Sequence, residues 1–209
     1  MITLWGRSDS TNVRKILWCL NELEISFEHI QAGGKFAIVN TAEYLQLNPN
    51  GLVPCLQDGG LVLWESHTIL RYLAEKYGQN GLLIADIPQR YAAEKWMDWC
   101  LSTISPIFKT IMLHAVKLPI DQRNPFLLKQ AIQEIESKLH LFNQYLQGRI
   151  FIADEYFSIA DIAVGSYVYT WKILHKIHQL EQFMQFQAID VWLERLLQRA
   201  ALQKVLNNF

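Results

Sequence analysis

The spacing of apolar residues divides the chain into two parts of different kind. In the first 78 residues, short apolar runs alternate with short helical patterns. Ile2 to Trp5 reads as a strand. Val13, Ile16, Leu17, Leu20 and Leu23 then recur at the spacing of an amphipathic helix over residues 12 to 24. Ser26 to Ile30 reads as a second strand, and the strand, helix, strand order predicts a parallel pair with a right-handed crossover. A short helix fits Thr41 to Leu47, and Asn48-Pro49-Asn50-Gly51 marks a turn. Leu52 to Gln57 and Leu61 to Trp64 flank Asp58, Gly59 and Gly60, which predicts an antiparallel hairpin. Ser66 to Tyr77 is helical and Gly78 stops it. The predicted order is βαβ, α, ββ, α.

Residues 79 to 87 read as a linker, and 88 to 209 read as helical throughout. Pro88 suits the first turn of a long helix, and Pro106 predicts a kink or break near Ser105. Asn124 and Pro125 read as an N-cap and first-turn pair ahead of an apolar face running from Leu128 to Leu146. Ser158-Ile159-Ala160-Asp161 reads as a variant capping box, with Phe157 and Ile162 as a hydrophobic staple, so its role is structural. The fold class is an α/β domain over residues 1–78, followed by an all-α domain over 88–209.

Composition narrows the function classes. Apolar residues make up 51% of the chain, enough for a substantial core. Lys plus Arg number 19 against 20 Asp plus Glu, so no charge argument favours nucleic acid or an anionic membrane. The N-terminus does not read as a signal peptide, and no apolar run approaches the ~18 residues of a membrane span. Cys19, Cys55 and Cys100 are widely spaced and form no CxxC, which fits a reduced, cytoplasmic protein. His175 and His178 lie three apart, but no carboxylate or cysteine motif accompanies them, so no metal is expected.

Three segments together carry a family resemblance: STNVRKILWCLNEL (10–23), YLQLNPNGLVPCL (44–56) and LVLWESHTILRYLAEKYG (61–78). They resemble the N-terminal domain of the glutathione transferases, especially bacterial cytosolic members. SIADI (158–162) resembles the capping motif of that family's helical domain, although Ala153 stands where the family often has glycine. The resemblance implies a thioredoxin-like βαβαββα domain, glutathione as cosubstrate and a homodimer formed through helix 66–77 and the helix after Pro88.

It also implies site roles. Pro54 is expected in cis, leaving Val53 to pair its backbone with the cysteinyl part of glutathione. Ser66, at a helix N-terminus, is expected to hold the γ-glutamyl carboxylate, with Glu65 facing the ammonium beside it. Lys35 is a candidate for the glycyl carboxylate, and His67 a candidate neighbour. Among the hydroxyls of SDSTN (8–12), Ser10 is assigned as donor to the glutathione sulfur and Asn12 as a second donor, with Ser8 and then Thr11 as alternatives. The residues themselves leave open that Ser10 or Thr11 only caps the helix. Ile107, Phe108, Ile111 and Tyr167 are candidate contacts for an apolar electrophile, although apolar helical residues are mostly core. The function implied is a transferase that stabilises the glutathione thiolate. The alternatives are a glutathione-dependent disulfide or peroxide reductase, and a non-catalytic binding protein of the same fold.

Overall fold

A computed structural model describes residues 1–78, 81–181 and 184–207. Gln79 and Asn80 of the expected linker, and Gln182, Phe183, Asn208 and Phe209 of the expected helical part, lie outside the described residues. The chain divides into two compact units, Met1–Ala85 with Leu197–Phe209, and Asp86–Leu196.

The first unit is built on β1 (Ile2–Trp5), α1 (Thr11–Glu22), β2 (Phe27–Ile30), α2 (Ala42–Leu47), β3 (Cys55–Asp58), β4 (Leu61–Trp64) and α3 (Ser66–Tyr77). The sheet order is β2-β1-β3-β4, with β1 and β2 parallel and the other two pairings antiparallel. The first strand of the hairpin starts three residues later than the apolar run suggests. The Leu52 carbonyl accepts from Tyr44 Oη (2.6 Å) and Asn48 Nδ2 (2.8 Å), not from a neighbouring strand. Leu4, Val13, Ile16, Leu20, Leu56, Ile69, Leu70 and Leu73 are fully buried, and each such side chain contributes about 1.5–3 kcal/mol. The loop leaving β1 passes hard against α1: a Cβ on Gly6 would lie 2.3 Å from Val13 Cγ2. Only glycine brings the Ser8–Ser10 loop this close to the stiff, β-branched Val13.

The C-terminal helix α9 (Ala200–Leu206) packs on α1 in this same unit. Arg199, its N-cap residue, donates to both carboxylate oxygens of Glu22 at 2.6 and 2.7 Å, and Trp18 Nε1 donates to the same group at 2.8 Å. A bidentate guanidinium–carboxylate pair fixes orientation as well as distance.

The second unit holds α4 (Ile87–Trp99), α5 (Ser105–Met112), α6 (Pro125–Tyr145), α7 (Ile159–His178) and α8 (Gln187–Leu197). No break occurs at Pro106. The chain stays helical from Ile87 to Lys117, with π-helical turns at Cys100–Ile104 and Leu113–Lys117. The first π turn lies just ahead of the proline, where a wider turn accommodates its missing N–H and its ring. By length and composition alone this run would pass as a membrane span, at a mean hydropathy of 1.2, contrary to the expectation from sequence. Its apolar face (Ile104, Ile107, Phe108, Ile111) is buried within the unit, as in a core helix.

The expected caps are present. Asn124 Oδ1 accepts from Phe126 N (3.0 Å) and Leu127 N (3.1 Å). Ser158 and Asp161 form a reciprocal capping box, and Asp161 also accepts from Ile152 N and Trp192 Nε1, both at 2.9 Å. One buried carboxylate thereby ties the start of α7 to the preceding loop and to α8. The left-handed residue of that loop is Asp154 (φ +66°), next to Ala153.

Candidate functional site

Two helix starts in the first unit supply the site's polar groups. At α1, Ser10 occupies the N-cap with extended backbone (φ −76°, ψ 125°), and its side chain makes no capping hydrogen bond. The helix takes only its backbone: the Ser10 carbonyl accepts from Arg14 N at 2.9 Å. Ser8 differs. Its hydroxyl accepts from Gln31 Nε2 (3.0 Å) and its N–H donates to Gln31 Oε1 (3.3 Å), which ties it to the end of β2.

At α3, Glu65 is the N-cap residue and Ser66 opens the helix. Ser66 is 4% exposed. Glu65 is exposed and holds φ +72°, ψ 109°, a conformation that costs a residue with a side chain on the order of 1–3 kcal/mol. Among the described residues its carboxylate takes no hydrogen bond or ion pair. Strain kept on an unengaged, outward-facing carboxylate is a mark of a functional position. Two helix N-termini with a serine each thus offer N–H donors and partial positive charge, with the Glu65 carboxylate beside one of them.

Val53–Pro54 is cis. Among the described residues, no hydrogen bond engages the Val53 peptide N–H or carbonyl. The preceding turn is held firmly, since buried Asn48 bonds both Leu52 O and Asn50 N (3.1 Å). Lys35 lies exposed on the 3-10 turn Gly34–Phe36, its Nζ 5.1 Å from the Phe36 ring centre.

Sequence reasoning missed Lys15. Its side chain is 0% exposed, and Nζ lies 3.0 Å from Asn12 Oδ1, 3.3 Å from Ser66 Oγ and 2.8 Å from His67 Nε2. The structure thus brings Asn12, Ser66 and His67 around one ammonium. Asn12, Lys15, Ile16 and Cys19 share one helical face, but that spacing by itself does not mark a lysine as buried. No chain thiol joins the site as a thiolate. Burial pushes Cys55 up to about 11 and Cys19 far higher, the latter aided by Glu22. Among the described residues no three metal-ligating side chains converge.

The candidate electrophile contacts lie in the second unit and are buried there. Ile107, Phe108 and Tyr167 are 6–7% exposed and Ile111 is 0% exposed. Tyr167 Oη donates to Ser105 Oγ at 3.0 Å and its ring meets Phe108 edge-on, with centres 5.5 Å apart. His175 lies against Trp171, at 5.8 Å between ring centres.

Residues 1–75 match the model of the glutathione S-transferase N-terminal domain. The chain is 37% identical to glutathione S-transferase GstB of Escherichia coli, over 98% of this chain and 97% of that protein. It is 29% identical to the E. coli disulfide-bond oxidoreductase YfcG, over 91% of this chain and 87% of that one. Among solved structures, it superposes at a TM-score of 0.90 on the theta class glutathione S-transferase of Xanthomonas axonopodis pv. citri with glutathione bound. That match has 35% identity and covers 97% of this chain and 95% of the other.

Proposed function

Because the chain belongs to the glutathione S-transferase family, we propose that it binds glutathione on its first unit and stabilises the thiolate for attack on a small apolar electrophile. The observation that carries this reading is the Ser10 hydroxyl, which stands at the start of α1 and is not used as a cap. A free thiol has a pKa of about 8.5. A hydroxyl donating to the thiolate contributes about 1.5–3 kcal/mol, and a helix N-terminus about 0.3–1 kcal/mol. At about 1.4 kcal/mol per unit, together they lower the pKa by about one to three units. Thiolate then dominates near neutral pH. The thiol proton passes to solvent, the sulfur pair forms the bond to carbon, and the leaving group departs with its own pair.

The other roles follow from position. Asn12 is the second donor near the sulfur. Val53, ahead of Pro54, offers its N–H and carbonyl to the cysteinyl backbone. Ser66 and the α3 N-terminus receive the γ-glutamyl carboxylate, Glu65 faces the ammonium, and Lys35 meets the glycyl carboxylate. Ile107, Phe108 and Tyr167, which keep a little exposed surface, are the candidate contacts for the electrophile, and the fully buried Ile111 supports them from behind. The active form is a cytoplasmic homodimer, and a monomeric mass at micromolar concentration rules that out.

The test is an ultraviolet titration of glutathione bound to the protein, followed by turnover of an aryl halide, a disulfide and a hydroperoxide. Expected are binding, a thiol pKa lowered by at least one unit, and conjugation of the aryl halide. No binding, or an unshifted thiol, overturns the reading. Turnover of the disulfide alone replaces it with reduction.

A further inference from the structure

Lys15 is the one lysine for which a position with no exposed surface is recorded among the described residues, and it lies where positive charge is least expected. It meets Asn12, in the first turn of α1, and Ser66 and His67, the first two residues of α3. Both helix starts already carry positive potential, and the Lys15 ammonium adds to it. Its burial removes the water that would otherwise screen that potential. An arrangement that concentrates positive potential at two helix starts gains when an anion arrives, because the low dielectric strengthens the attraction.

The geometry explains how the side chain reaches both helices. Side chains on a helix lean toward its N-terminus, so Lys15 runs back one turn to Asn12. Ser66 and His67 are 51 and 52 residues away in sequence and close the bridge from the other side. An ammonium only donates, so His67 Nε2 accepts and the ring carries its proton on Nδ1. The amide of Asn12 is oriented in turn. Its Oδ1 faces Lys15, which leaves Nδ2 as the group it can offer a ligand.

We propose that Lys15 is a positioning residue that locks the thiolate end and the γ-glutamyl end of the site into one frame and sets the positive potential both share. The inference rests on the glutathione-binding function proposed above. It places the coupling between two ligand subsites in a residue that itself lies behind them. Loss of Lys15 therefore affects both ends together: the bound thiol becomes less acidic, and affinity falls even for a ligand without a thiol.

The test uses the full chain, comparing wild type with Lys15→Met, which keeps length and removes charge and donors, and with Lys15→Gln, which keeps one donor group. Glutathione reports the thiol pKa, and S-methylglutathione reports affinity without a thiol. For Lys15→Met the expected results are a bound-thiol pKa higher by about one unit and at least about a tenfold weaker Kd for S-methylglutathione, equivalent to about 1.4 kcal/mol. Lys15→Gln should fall between. A purely structural role predicts a lower melting temperature with both ligand readouts unchanged in the folded fraction, and that result overturns the proposal. If neither variant folds, wild type still decides. The Lys15 15Nζ and His67 ring 15N resonances should shift on adding S-methylglutathione, and unchanged resonances at saturation overturn it. A wild type that binds neither ligand overturns the proposed function itself, and this inference with it. A wild type that binds glutathione with a lowered thiol pKa, beside variants that do the same, overturns this inference alone.

Discussion

Ser10→Ala separates chemistry from stability at the start of α1. An N-cap serine ordinarily contributes about 0.5–2 kcal/mol through its side chain. Here the side chain makes no capping hydrogen bond, so the variant should lose little stability, below about 0.5 kcal/mol. For a chain of this size that is within about 2 °C of melting temperature. The thiolate, by contrast, loses a charge-assisted hydrogen bond of about 1.5–3 kcal/mol, which raises the bound thiol pKa by about one to two units. At a pH below both values the thiolate population falls by about ten- to a hundredfold. The intrinsic nucleophilicity of a more basic thiolate recovers part of that, so the rate at such a pH should fall by about three- to fifteenfold. At a pH above the variant's pKa the two proteins should converge. The assays are ultraviolet titration of bound glutathione, kcat/KM against pH for an aryl halide, and a thermal melt. An unchanged pKa and rate profile would refute the assignment of Ser10. A melting temperature lowered by about 5 °C or more would show that the hydroxyl serves the helix instead.

Glu65→Gly should show the opposite trade. Glycine relieves the φ of +72° at the entrance to α3, a gain of about 1–3 kcal/mol less about 0.5–1 kcal/mol for its greater freedom unfolded. Melting temperature should rise by a few degrees while glutathione affinity falls, and a fall in both would argue that the carboxylate serves the fold. Asp58 governs part of the acid limb. Its Oδ2 accepts from Tyr72 Oη and Lys76 Nζ at 2.7 Å and from Tyr77 Oη at 2.5 Å, and these partners outweigh burial and hold it at about 2, below its ordinary 3.8. A depressed carboxylate stabilises the fold above its unfolded pKa, so that contribution is present above about pH 4 and is lost as pH falls toward 2. Denaturant melts of Asp58→Asn between pH 4 and pH 2 should therefore vary less than those of wild type. The three cysteines are buried, so a thiol reagent should label none in the native protein and all three after unfolding; rapid native labelling would contradict the burial. Gly6→Ala forces a Cβ onto Val13 and should cost about 1–3 kcal/mol, read as a lower denaturation midpoint, along with weaker glutathione binding through the displaced Ser8–Ser10 loop.

What the sequence determined by itself was local. Apolar spacing placed β1, α1, β2, α2, β4 and α3 within a residue or two of where they lie, and Asn124 and Ser158–Asp161 marked helix starts that the structure uses. These features depend on neighbours three or four residues apart, so the chain writes them directly. The tertiary structure decided the rest. Only the family resemblance ranked Ser10 ahead of Ser8 and Thr11 in SDSTN; in the fold Gln31, brought alongside by the parallel β1–β2 pairing, engages Ser8, while Ser10 keeps its side chain clear of the cap. Nothing local singles out Lys15; it is the packing of α1 against α3 that encloses it with Ser66 and His67. Arg199 read as part of a helical C-terminal half, and only the docking of α9 on α1 pairs it with Glu22, 177 residues earlier. Burial and pairing across such separations depend on how whole elements pack, and no local period encodes that.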